Sequence, residues 1–523
     1  MTAADHLVIA PIVLPLVAGA LMLLVDERRV GLKSALGVAA SVATAALSVA
    51  LLLRVDAAGT EVYRVGDWPA PFGIVLVADR LSAALVVLAS ALSVASALFS
   101  SARWDREGPR YHTLAQFLVV GVNGAFLTGD LFNLFVFFEV MLAASYGLAL
   151  HGSGELRVRA GLKYITVNLT ASLLFLVGAS LIYGAIGTLN LADISARAVT
   201  ATANQRSLLD AGAAVLAIAF LAKAAMWPLC FWLVPAYSAA SPPAAALFAV
   251  LTKVGFYALL RIGLLLHDGP AGASAHAGWE WLRLGGFATL AFGTLGVLAS
   301  QDLGRLASYS IVVSSGTLLA TMGGAAAALT GAALYYLVAS VLGAAALFLL
   351  REVMERGRGP GEQVLAVTAE LFEADEIPRD DLLEEVGIAI PAPMAIMGVC
   401  FTCAALMVAG LPPLAGFVGK FAILHAMLAP APVPATSWTM LALLLVSGLA
   451  SMIALARVGV RRFWASPDRP VPRVGLVEMA PIVLLLSLCA ALTIAAAPVL
   501  RYLNDAARAL HAPSGYVERV LVP

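Results

Sequence analysis

Charge is what this sequence has least of: 12% of its 523 residues are charged against 61% hydrophobic, and its mean hydropathy is +0.93. A soluble globular chain is excluded, and the solvent is lipid. Lysine plus arginine equal aspartate plus glutamate at 32 each, so no excess of either sign points to nucleic acid or an acidic substrate. Only four cysteines are present, Cys230, Cys400, Cys403 and Cys489, all in apolar stretches, which excludes a disulfide framework. The CxxC of Cys400 and Cys403 has no second pair or histidine cluster and reads as small buried side chains, not a zinc or redox site. There is no GxxxxGK[ST] phosphate loop, no nicotinamide fingerprint and no cysteine or histidine set for iron–sulfur or haem. No cofactor is expected. Such a chain draws on an ion gradient or on a partner's redox energy.

What is present is a succession of apolar runs, each long enough to cross a bilayer as a helix. Fourteen spans are expected, near 6–25, 33–53, 74–100, 112–129, 131–150, 161–187, 207–228, 243–266, 281–300, 307–324, 328–350, 392–425, 437–457 and 476–498. The runs are continuous rather than alternating, which argues against a β-barrel. The first run follows no positive charge and precedes Asp26-Glu27-Arg28-Arg29, the reverse of a signal peptide's charge order, so it reads as a span with the N-terminus outside. Arginine and lysine concentrate in odd loops, at Arg28, Arg29 and Lys33, at Arg103, Arg106 and Arg110, and at Arg157, Arg159 and Lys163. The positive-inside rule then puts both termini on the outer side. The acidic loop 355–391 is either a solvated surface segment or a docking site for a partner subunit.

Two irregularities match. Lys223-Ala-Ala-Met-Trp-Pro-Leu-Cys-Phe-Trp-Leu-Val-Pro, with Pro228 and Pro235, and Gly410-Leu-Pro-Pro-Leu-Ala-Gly-Phe-Val-Gly-Lys420, with Pro412 and Pro413, each join a lysine to a proline break. Corresponding interruptions in two halves of a transporter point to broken helices beside a transport path.

Ionisable residues inside the spans are the candidate site. Glu139 stands about eight residues, or ~12 Å, into its helix, where a lone carboxylate is an ion pair or an exchangeable proton site. Lys223 and Lys253 lie too deep to snorkel. Lys420 belongs with them, while His425 reads equally as an interfacial histidine or a relay. Asp302 and Arg305 are accounted for by capping and topology, and Asp79-Arg80 by the opening of the third span.

These residues carry a resemblance. Gly129-Asp-Leu-Phe-Asn-Leu-Phe-Val-Phe-Phe-Glu-Val-Met-Leu-Ala-Ala-Ser-Tyr146, the Gly410 to Lys420 segment and Gln301-Asp-Leu-Gly-Arg-Leu-Ala-Ser-Tyr-Ser310 resemble the proton-translocating membrane subunits of Mrp-type multisubunit cation/proton antiporters and respiratory complex I, the D-type Mrp subunits above all. The resemblance implies an all-α membrane fold with two inverted five-helix repeats, spans 4–8 (112–266) and 9–13 (281–457). Residues 1–111 precede them with spans 1–3, and 458–523 follow with span 14 and the C-terminal tail. It implies that Glu139 and Lys223 form a switching pair, Lys253 a central relay and Lys420 a terminal proton-bearing lysine. Because spans 10 and 11 carry no histidine, lysine or carboxylate, the relay between the last two needs water, with Ser308, Tyr309, Ser314, Ser315 or Tyr336 as wall groups. The implied function is exchange of protons for sodium or another monovalent cation, in a hetero-oligomer with other membrane subunits of a bacterial inner membrane. The alternative is a proton-pumping arm of a complex I-like or hydrogenase oxidoreductase.

Overall fold

The computed structural model describes residues 5–267, 273–322, 326–356, 392–463 and 474–521. Each of the fourteen apolar stretches carries helix: α1 (Ala10–Leu24), α2 (Val30–Ala58), α3 (Arg80–Ala102), α4 (Tyr111–Leu127), α5 (Leu131–Ala149), α6 (Glu155–Ile186), α7 (Leu191–Thr200), α8 (Ala203–Lys223), α9 (Leu233–Ala239), α10 (Pro242–Phe248), α11 (Leu251–His267), α12 (Ala273–Ala299), α13 (Leu303–Met322), α14 (Ala327–Glu355), α15 (Ala392–Ala409), α16 (Ala415–Leu428), α17 (Ala435–Phe463) and α18 (Leu476–Ile494). Two amphipathic helices, α19 (Ala496–Leu510) and α20 (Ser514–Leu521), follow. Among the described residues, eleven helical spans are long and apolar enough to cross a membrane. The acidic stretch of the loop 355–391 lies outside the described residues, and its docking reading with it.

Burial sorts the helices into centre and rim. In α14 and in the α10–α11 segment, 89% of the most apolar stretch is buried, against 33% in α2 and 28% in α18. Small residues let the inner helices touch backbone to backbone, which association in lipid requires because burial of apolar side chains gains nothing there. A Cβ on Gly178 of α6 would meet the Gly212 carbonyl of α8 at 2.9 Å, and one on Gly316 of α13 the Leu290 nitrogen of α12. Between α2 and α3, Ser41–Ser93 (2.9 Å) and Ser48–Ser90 (2.8 Å) hydroxyl pairs serve the same purpose.

The two membrane-facing ends differ. At one, β1 (Glu61–Arg64) and β2 (Val75–Ala78) form an antiparallel hairpin with Glu61 opposite Ala78. Backbone bonds extend it across loops: Gly129 N–H to the Val75 carbonyl (2.9 Å), Leu131 N–H to Leu189 (2.8 Å) and Leu191 N–H to Gly129 (2.9 Å). The third expected span thus opens as a strand, and its helix starts only where Asp79 caps the Ser82 N–H. At the other end, arginine side chains make the ties. Arg103 pairs with Glu352 (3.6 Å) and Arg356 with Glu478 (2.6 Å), while Arg351 and Arg157 donate to the Ser238 and Ala239 carbonyls closing α9.

Candidate functional site

Three helix interruptions converge on the centre. The α8 helix stops at Lys223 because Ala225 takes a positive φ of 58° and Pro228 follows in the unwound stretch. The freed groups find partners: Trp227 N–H donates to Thr289 Oγ1 of α12 (2.9 Å) and the Trp232 indole to the Ala222 carbonyl (3.2 Å). Pro235 does not interrupt a helix; it sits in the first turn of α9, where its missing N–H costs no bond. The second interruption, Ala249–Val250 between α10 and α11, has no proline or glycine to announce it. The third lies between α15 and α16 and contains Pro412 and Pro413.

Each interruption carries a buried lysine. Lys223 Nζ lies 4.9 Å from the centroid of the Phe138 ring, beside Glu139. Glu139 acts on Lys223 electrostatically, yet among the described residues the two form no ion pair within 4.0 Å, and Glu139 Oε1 is buried without a hydrogen-bond partner. Gly255 of α11 presses on this break; a Cβ there would meet the Ala224 nitrogen at 2.7 Å. Two residues earlier, Lys253 is 1% exposed and donates from Nζ to Ser314 Oγ (2.9 Å), with Ser315 Oγ at 3.5 Å.

From Ser314 the chain of hydroxyls continues. Its Oγ is 2.8 Å from Ser340 Oγ on α14, and the Tyr336 hydroxyl, one helical turn away, lies against Ser314 and Thr317. On the far side of Tyr336, α16 seats directly on α14: a Cβ on Gly419 would meet Tyr336 Cα at 2.9 Å. The next residue is Lys420, whose Nζ donates to the Ala409 carbonyl released at the end of α15 (2.8 Å). Hydroxyls donate and accept at once, so the row can pass a proton without a charged group between the lysines.

Not every sequence candidate joins this row. Tyr309 turns to α12 and packs on Gly296 and Phe292, Ser308 bonds its own helix at the Gly304 carbonyl, and His425 is exposed and stacked on Phe421. Conversely, Ser340 and Thr317 escape a search for charged groups. So does Arg261, eight residues along the Lys253 face of α11, which is buried in an ion pair with Asp79 between the rings of Tyr257 and Tyr516.

Gly410 is required at its place twice over. Its φ is +74°, and an added Cβ would lie 2.5 Å from Lys420 Cδ. Gly410→Ala is expected to cost at least about 1–2 kcal/mol from the left-handed backbone alone and to push Lys420 off the Ala409 carbonyl. A lowered thermal midpoint together with reduced activity of the assembled protein checks it; an unchanged midpoint refutes it.

Residues 128–454 match the family model described as NADH:quinone oxidoreductase/Mrp antiporter, TM. The chain belongs to this family. It is 53% identical, over 99% of its length and 98% of the relative's, to the D component of a probable K(+)/H(+) antiporter of Rhizobium meliloti. It is 33% identical, over 99% of both, to the D component of a Na(+)/H(+) antiporter of Alkalihalophilus pseudofirmus. A chain in the structure of the Mrp complex from Dietzia sp. DQ12-45-1b superposes with a TM-score of 0.83 over 100% of both chains at 27% identity. All four buried ionisable residues, Glu139, Lys223, Lys253 and Lys420, fall inside the segment matched to the Mrp antiporter family model, as do Ser314, Tyr336 and Ser340. The Asp79 end of the outlying ion pair falls before it.

Proposed function

We propose that this chain is the D-type, proton-translocating subunit of a multisubunit monovalent cation/proton antiporter in a bacterial cell membrane. The observation that carries the reading is the row Lys223, Lys253, Ser314, Ser340, Tyr336 and Lys420: buried lysines at helix interruptions, bridged by hydroxyls, with the unpartnered Glu139 at one end. Buried charge of this kind is costly in lipid and is kept where protons or ions pass. Fourteen crossings in two inverted repeats suit the same reading. The proline-marked breaks fall in the fourth span of each proposed set of five, residues 207–239 and 392–428. The arginine-tied end then faces the cytoplasm and both termini the outside. Glu139 switches Lys223, Lys253 relays, and Lys420 hands the proton on, inside an assembly with other membrane subunits.

The test uses everted vesicles from an antiporter-deficient host expressing the whole operon, energised by respiration and followed with a pH-sensitive dye. Potassium and sodium are each expected to collapse the gradient in wild type, potassium more strongly given the 53% identical relative's name. Glu139→Gln is expected to remove the response at equal assembly. Full activity in Glu139→Gln takes that residue out of the mechanism. An assembled wild-type complex indifferent to every cation sinks the antiporter reading and turns attention to a redox-driven pump.

A further inference from the structure

Away from the lysine row, a polar cleft of about 380 Å³ opens at the arginine-tied end, between the α1–α2 and α3–α4 connections. Its walls bring together Glu27, Lys33, Asp105, His112 and Thr113. Most charges there are mutually satisfied. Lys33 Nζ (2.9 Å) and Arg110 Nε (3.1 Å) both hold Glu27, and Lys33 first, then Arg110, keep its carboxyl below the ordinary carboxylate range. Glu107 is held by Arg103 (3.3 Å).

Asp105 is the exception. It is 9% exposed, and among the described residues no lysine or arginine lies within ion-pair distance; its one charged neighbour is His112, with Nε2 at 3.9 Å from Oδ2. Asp105 Oδ1, His112 Nε2 and Thr113 Oγ1 all lack a hydrogen-bond partner, though His112 is 4% and Thr113 2% exposed. Three buried polar atoms left open in one cleft are what an absent ion or its water leaves behind. His112 is held in place by a close seat on Gly37 of α2 and an edge contact with Tyr111, behind which stands His151 at 5.1 Å from the Tyr111 ring. Arg106 supplies the remaining charge on the cleft wall.

We propose that this cleft is a binding site for a monovalent cation, held by the Asp105 carboxylate and the Thr113 hydroxyl, and that the cation and a proton on His112 exclude one another. The single unclaimed carboxylate sets the valence: a calcium ion takes six to eight oxygens and more negative charge than Asp105 supplies. With the cleft empty, protonated His112 balances Asp105. When the cation enters, His112 gives its proton to the water of the cleft, so one positive charge replaces another. Histidine titrates in the range where that exchange matters. Binding of this cation would put an exchange of the kind the antiporter reading requires at the surface of the chain, and it rests on that reading only for its use in transport.

The experiment is equilibrium binding of thallium(I), a monovalent probe, to the purified assembled complex, with no gradient imposed. Wild type is expected to bind one more thallium ion per complex than Asp105→Asn, and Asp105→Glu to recover binding. The wild-type affinity is expected to weaken about tenfold between pH 7.5 and pH 5.5, the size that follows when one histidine proton competes with the ion. His112→Gln is expected to keep the ion and lose that pH dependence. Equal thallium uptake by wild type and an assembled Asp105→Asn complex overturns the site, and a pH-independent affinity in wild type overturns the exchange. A complex that binds thallium here but collapses no proton gradient would sink the antiporter reading and leave the site standing.

Discussion

Lys253→Met is expected to lower cation/proton exchange by about 100-fold or more, the scale on which a positioned proton-transfer group contributes. The substitution keeps the length of the side chain and removes only the ammonium that reaches Ser314 at 2.9 Å. Ser314 retains Ser340 as a partner, so nothing polar is orphaned. Replacing a buried charge with an apolar group of similar volume is neutral or stabilising, and assembly and thermal midpoint should hold. Dye-monitored exchange in everted vesicles, normalised to assembled complex, reads the result. Retention of more than half the wild-type rate would take Lys253 out of the relay.

The largest loss of stability is expected from Asp79→Ala. Arg261 is 5% exposed and Asp79 8%, so removing the carboxylate strands a guanidinium between Tyr257 and Tyr516. Breaking one side of a buried ion pair costs about 3–5 kcal/mol, to which the lost cap on the Ser82 N–H adds about 1 kcal/mol. Asp79→Asn with Arg261→Met removes both charges and should recover most of the difference. The thermal midpoint of the purified complex measures both variants. If Asp79→Ala melts with wild type, the pair contributes nothing and Arg261 finds its charge balance elsewhere.

The positions of the helices were legible in the sequence because a run of apolar residues long enough to cross lipid has few other uses. The breaks at Pro228 and at Pro412–Pro413 were legible because proline cannot donate. The break at Ala249–Val250 was not, since it arises where α10 and α11 pack, not from a residue that forbids helix. The strand at Val75–Ala78 reads locally as the start of an apolar helix; only its partner Glu61–Arg64 makes it a strand. Depth in an apolar run picked out Glu139, Lys223, Lys253 and Lys420, whereas direction around the helix was hidden. Tyr309 and Ser314 lie five residues apart on α13, and only Ser314 faces Lys253. The Asp79–Arg261 pair joins distant parts of the chain, a contact no local pattern encodes.

The backbone bonds that stitch Val75, Gly129, Leu189 and Leu191 together give the molecule a spine. Main-chain groups so joined leave four helix ends fixed to one another like the gathered folds of a book. At the fore-edge the fastenings are long arginine side chains, which release and re-form at little cost where they meet water. Any widening that lets water reach Lys253 therefore begins at the fore-edge, with the spine staying shut.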